Sequence, residues 1–229
     1  STVSANTTSG FSIVSWTGTG SAGTIGHGLG KLPKMIIAKQ RNTARNWVVY
    51  FLDTSIANNN VNNYLELDTT AASTGDSGGR WGSYANYSTT TFGVGTDNGT
   101  NQSGGTYIAY VFSDIKAFSK IGKYVGNGNA DGSFIYTGFK PAFLMIKCTD
   151  AARSWQIHNS KSSLFNTGNT NARLFANLAN AEAANSSLDL LSNGFKVRES
   201  SDLNTNGSGN NYIYMAFAEA PLVGTNNVP

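Results

Sequence analysis

Acid–base, nucleophilic or metal chemistry in this 229-residue sequence would draw chiefly on two histidines, one cysteine and thirteen carboxylates. A general base needs a group that orients it and a reacting proton within reach. Neither His27 nor His158 has a patterned acid or nucleophile nearby, so both read as loop or strand-face histidines. Glycoside hydrolysis needs two carboxylates placed across a sugar bond, and the spacing of the acids nominates no pair. One cysteine and two scattered histidines cannot close a zinc site. The expectation is a chain that is not an enzyme and that uses no metal and no cofactor.

Two glycine-rich runs imitate ligand loops. Asn127-Gly128-Asn129-Ala130-Asp131-Gly132 resembles the start of a calcium loop. Asn127 stands where the first Asp should be, and Gly138 stands where the bidentate Glu should be, so a Gly/Asn-rich hairpin loop is the better reading. Gly26-His27-Gly28-Leu29-Gly30 lacks the strand-loop-helix context and the Lys-Ser/Thr of a phosphate cradle. Aromatics are the remaining candidates. Trp81, Tyr84 and Tyr87 lie in Gly79–Ser88, where glycines could let a loop protrude and present ring faces to a sugar. The competing reading of the three is a small core beneath a loop.

The elements that must position these groups are strands. Charged residues are 13% of the chain, against roughly 25% in ordinary soluble domains. Gly, Asn, Ser and Thr fill the difference, which favours turn-rich β structure over helix. The net charge is +3 and is spread evenly, with no basic run to track a phosphate backbone, so nucleic acid is not an expected partner. The apolar runs, such as Met35–Ala38 and Phe143–Ile146, are too short to span a bilayer as helices, and no membrane partner is expected. No signal-peptide pattern opens the sequence at Ser1. Cys148 has no intrachain partner for a disulfide.

An internal repeat organises the chain. Gly18, Gly20, Gly30, Pro33, Lys39, Ala44, Arg45 and Trp47 recur 108 residues later as Gly126, Gly128, Gly138, Pro141, Lys147, Ala152, Arg153 and Trp155. Tyr107–Phe112 recurs 105 residues later as Tyr212–Phe217. Units of this length suit small sandwich domains, so the expected fold is all-β: two tandem, homologous antiparallel β-sandwich (jelly-roll-like) repeats over 1–117 and 118–229, packed together. A four-residue loop, Asn42–Arg45, would place Gln40 opposite Trp47 and gather Ile36, Ala38, Gln40, Trp47 and Val49 on the core face, with Leu144, Ile146, Cys148, Trp155 and Ile157 as their counterparts. Alternation in the closing strands would turn Ile108, Tyr110, Phe112, Ile213, Met215 and Phe217 inward. Asn193-Gly194 marks a two-residue hairpin between Leu188–Leu191 and Phe195–Arg198. Asn177–Ala184 is the one stretch that could form a helical turn.

The run from Gly126 to Phe134, the run from Thr137 to Lys147 and the closing Tyr212–Pro221 together resemble a repeated β domain in virion structural proteins of marine bacteriophages, over most of the second copy and more faintly the first. That resemblance implies a virion location and a structural or surface role, as tail fibre, spike or capsid decoration, with host-receptor binding among its uses. It implies other virion proteins or copies of itself as partners, with host surface glycans as a further one, and brings no catalytic residues. It also implies a chain that continues past Val223–Pro229, of which this would be a fragment or processed product. A carbohydrate-binding module or lectin is the second reading, and a jelly-roll polysaccharide-degrading enzyme the third.

Overall fold

The structure, a computed structural model, describes residues 1–52, 63–76, 79–162, 172–184 and 187–219. It divides into two compact units: Ser1–Thr69 with Ser73–Asp114, and Thr70–Ala72 with Ile115–Pro229. Among the described residues, α1 (Asn98–Asn101) and a 3-10 turn over Tyr84–Asn86 are the helical elements. Asn177–Ala184 forms no helical turn; its last two residues are strand.

In the first unit seven strands form one antiparallel sheet. They are β1 (Thr2–Asn6), β2 (Phe11–Thr17), β4 (Met35–Gln40), β5 (Val48–Phe51), β6 (Asn63–Glu66), β7 (Thr74–Gly75) and β9 (Thr106–Phe112), in the order β1-β2-β9-β4-β5-β6-β7. A second sheet pairs β3 (Gly23–Gly26) with β8 (Thr91–Val94). Val14, Ile36, Ala38, Val48, Tyr50, Ala109 and Val111 of the large sheet meet Phe92 and Val94 of the small one in a single buried cluster, which makes the unit a sandwich.

The second unit repeats that order. Its large sheet runs β10 (Ser119–Val125), β18 (Asn211–Ala218), β12 (Pro141–Cys148), β13 (Gln156–Asn159), β14 (Ala172–Phe175) and β15 (Ala183–Ala184), matching β2-β9-β4-β5-β6-β7 place for place. Its small sheet is β11 (Phe134–Tyr136), β17 (Gly194–Val197) and β16 (Leu188–Leu191), in that order. Leu191 pairs with Gly194, so the two-residue hairpin turn is Ser192-Asn193, one position before the expected Asn193-Gly194. Gly194 lies inside β17, where a Cβ would collide with the Ile135 carbonyl oxygen.

Both units close one end with the same device. A fully buried asparagine accepts a backbone N–H through Oδ1 and donates to two backbone carbonyls through Nδ2. Asn101 bonds Thr19 N at 2.9 Å, Ser21 O at 2.7 Å and Gly95 O at 2.7 Å. Asn206 bonds Asn127 N at 3.0 Å, Asn129 O at 2.8 Å and Glu199 O at 3.0 Å. Beside it a buried tyrosine hydroxyl donates to one loop carbonyl and accepts from a loop N–H. Tyr107 does so with Asn98 O and Gln102 N, and Tyr212 with Leu203 O and Gly207 N. Buried backbone groups must find partners, and short polar side chains supply them where the chain leaves the sheet. Gly18 and Gly126 sit where a Cβ would strike the backbone of this same loop.

The hairpin register differs by one residue from the sequence expectation. Ile36 pairs with Tyr50 and Ala38 with Val48, so Val48 and Tyr50 share the core face, and Trp47 and Val49 do not. Trp47 is half-buried, stacked on Tyr110 with 6.3 Å between ring centroids, and under the Lys39 ammonium. In the second unit Leu144 pairs with His158 and Ile146 with Gln156. Cys148 is in the core as expected, but Trp155, although buried, falls by alternation with Ile157 on the opposite face. The closing strands also invert: Tyr107, Ala109, Val111, Tyr212, Tyr214 and Ala216 face the core. A shift of one residue exchanges the faces of a strand, and here both faces are apolar enough for either choice. Met35, Ile37, Val49, Met145, Ile213 and Met215 are buried as well.

Candidate functional site

Of the three aromatics nominated by the sequence, Trp81 and Tyr87 are core and Tyr84 is half-buried. Asp76 accepts the backbone N–H groups of Arg80 at 2.7 Å and Trp81 at 2.6 Å. This pulls the segment over the sheet. Trp81 is fully buried between Tyr50 and Phe92, with ring centroids 5.8 Å and 6.3 Å away. Tyr87 is buried, stacks on Tyr50 at 4.4 Å and donates its hydroxyl to Trp81 O. Tyr84 is half-buried and stacks on Tyr87 at 6.3 Å. Gly82 takes a φ of 62° to make the turn, so glycine here lets the loop fold inward. Burial raises the Asp76 carboxyl above its usual value, partly offset by those two N–H donors and by Arg80. Trp81 and Tyr87 thus present no open ring face to solvent.

Both imidazoles are also inside. His27 accepts Leu29 N on Nδ1 at 3.2 Å, and its Nε2 lies 3.3 Å from Ser88 O, which fits the neutral Nε2–H tautomer. Burial lowers its pKa. His158 belongs to a buried polar cluster where the first unit places Tyr50. Its Nε2 is 3.0 Å from Gln156 Oε1, Gln156 Nε2 donates to Asp202 Oδ2 at 2.7 Å, and Arg173 reaches the same oxygen at 2.8 Å. Gln156 occupies the position of Val48. Burial pulls the His158 pKa down to about 4, outweighing the attraction of Asp202. Lys147, also buried, donates to Arg153 O and Thr70 O; burial lowers its pKa to about 8. These groups are engaged with the fold.

The calcium-like loop is filled by itself. Asn127 Oδ1 accepts Asn129 N at 3.0 Å, and the exposed Asp131 carboxylate pairs with Lys196 and, at 3.9 Å, with Arg198, which lowers its pKa. Among the described residues no group of three or more His, Cys, Asp or Glu is placed to hold a metal ion. No helix among them is long and apolar enough to cross a membrane.

The outward chemistry lies elsewhere, on the small sheet of the second unit. Ile135 of β11 points into the core at 6% exposure, while Phe134 and Tyr136 point out at 46% and 65%. Phe134 pairs with Lys196, and Lys196 with Asp189. Lys196 bridges to Asp131, and Arg198 to Asp189, each at 2.5 Å. The three-residue alternation was readable in the sequence, but nothing there tells an outward aromatic from an inward one. The test is the core pairing, Ile135 with Phe195 in this unit and Ile25 with Phe92 in the first.

No curated protein matches the chain. Among solved structures, the crystal structure of the STIV MCP is similar over 90% of this chain and 95% of that one, at 12% identity and a TM-score of 0.25. Residues 1–221 match a family described as a domain of unknown function, DUF7483, and the chain belongs to that family.

Proposed function

We propose that the chain is a structural and surface module of a virion, of the tail-fibre, spike or decoration kind, and that it works by contact, with no catalysis. The observation that carries this reading is the direction in which the two units turn their side chains. His27, His158, Asp76 and Lys147 are committed to hydrogen bonds inside the fold. Aromatic side chains that the fold leaves uncovered face outward on β11. A rigid sandwich that presents aromatics on a short strand suits recognition. The string resemblance of Gly126–Lys147 and Tyr212–Pro221 to phage virion domains supports the setting. Other virion proteins or further copies of the chain are its partners in this reading.

Immunogold electron microscopy with antibodies to this chain tests it. Gold is expected on intact particles purified from cultures that make the protein. Gold confined to soluble lysate protein, with bare particles, overturns the reading.

A further inference from the structure

We propose that Phe134 and Tyr136 form a binding site for a neutral glycan. This deepens the surface role by naming a ligand class, and it rests on that role only for its biological setting.

Four observations carry it. The two rings stand on one face of β11, two residues apart, which is roughly 7 Å along a strand. Each rests against a glycine. The ring edge of Phe134 lies 3.1 Å from where a Cβ on Gly194 would be, and the Tyr136 hydroxyl and nearest ring carbons lie 3.6 Å and 3.8 Å from where one on Gly138 would be. The glycines let the rings settle onto backbone and leave their outer sides open, consistent with their exposure.

The polar rim matches an uncharged, hydroxyl-rich ligand. Lys196 with Asp131, and Arg198 with Asp189, put two cations and two anions beside the rings, already paired. A nucleic acid or acidic polysaccharide meets no net positive field there. Sugar hydroxyls find both donors and acceptors, and the apolar C–H face of a pyranose finds aromatic rings.

The fold does not require these aromatics. In the first unit, with Ile25 and Phe92 filling the places of Ile135 and Phe195, Thr24 and Gly26 stand where Phe134 and Tyr136 do, and Gly93, in the place of Lys196, is buried against the Trp81–Asn86 segment. The same pair of strands forms there with no ring on β3, so β11 does not need aromatics in order to pair.

The test uses the full chain on a printed array of neutral oligosaccharides, including cellohexaose, xylohexaose and maltohexaose, with hexagalacturonate and a heparin fragment as charged controls. Titration calorimetry then follows each neutral glycan that binds. At least one neutral glycan is expected to bind. Tyr136→Ala should weaken it at least tenfold with an unchanged melting temperature, and Tyr136→Phe should restore most of the loss. Phe134→Ala should weaken it similarly. Should Phe134→Ala also unfold the unit, Tyr136→Ala alone decides, because that side chain is the more exposed of the two. Binding only to the charged controls, no binding on the array, or binding indifferent to Tyr136 overturns the proposal. So does a wild-type dimer in sedimentation that Tyr136→Ala converts to monomer, since the strip is then a contact between copies. None of these results bears on whether the chain is found on particles.

Discussion

His158 makes the second unit sensitive to acid in a way that can be calculated. The imidazole is fully buried, faces Gln156 from its own strand, Arg173 across β14 and Leu144 across β12, and feels the Asp202 carboxylate. Its pKa falls from 6.5 to about 4 on folding, with burial the main cause. The folded value is the depressed one, so between these limits the unfolded chain holds a proton that the native chain does not. Stability from this group is complete above pH 6.5, declines as pH falls, and levels off below about 4. Every tenfold loss of proton affinity on folding corresponds to about 1.4 kcal/mol, so the full decline is about 3 kcal/mol, a large part of a typical domain's 5–15 kcal/mol. Urea unfolding followed by far-UV circular dichroism, at closely spaced pH values from 7 down to 4, measures it against His158→Gln, which keeps a polar side chain but cannot titrate. The difference between the two proteins should move by about 3 kcal/mol in favour of the variant as pH falls, while the carboxylates common to both cancel. Parallel curves would falsify the assignment of His158 as a buried neutral imidazole.

Other outcomes follow from the same geometry. Asn206→Ala strands three buried backbone groups and should cost roughly 3–5 kcal/mol; Asn101→Ala should cost the same in the first unit, and a loss below about 1 kcal/mol in either chemical melt would refute the shared closure. Trp81→Ala should destabilise by roughly 3–5 kcal/mol and leave glycan binding unchanged, the reverse of what a protruding loop would do. Cys148, with no exposed surface, should resist a thiol reagent in the native protein and react fully in denaturant; rapid native labelling would place it outside the core.

The sequence carried the architecture further than the faces. The 108-residue offset and the recurrence of Tyr107–Phe112 as Tyr212–Phe217 were enough to anticipate the matching strand orders. Alternation and turn residues placed the closing strands and the Leu188–Leu191 and Phe195–Arg198 pair within one position, while β1, β3, β8 and β11 went unanticipated. Faces were harder, because Met35–Ala38 and Phe143–Ile146 are apolar on both sides and only the loop length distinguishes the two registers. Lys39 and Lys147 donate to the carbonyls of Arg45 and Arg153 inside those loops, an interaction absent from a count of turn residues. The burial of Trp81 depends on Asp76 gripping two N–H groups and on Tyr50 and Phe92 arriving from distant strands, so its local sequence looked like a tip. Gln156 and His158 were visible as departures from Val48 and Tyr50, but only the correct register makes both of them internal.

The closure around Asn206 also bears on how the protein ages. An asparagine followed by glycine, as in Asn206-Gly207, is the pairing most prone to lose ammonia, because the next backbone nitrogen can attack the side-chain amide with little steric hindrance. Here that nitrogen, Gly207 N, is committed at 2.6 Å to the Tyr212 hydroxyl, and the amide is tied to three backbone groups. Folding therefore holds attacker and target apart. Conversion to Asp would remove both donated bonds, so damage acquired while the unit is open would hinder its closing again. The durability of this closure is thus a matter of how seldom the unit opens, and loss of the Asn206 amide in storage should track the unfolding equilibrium.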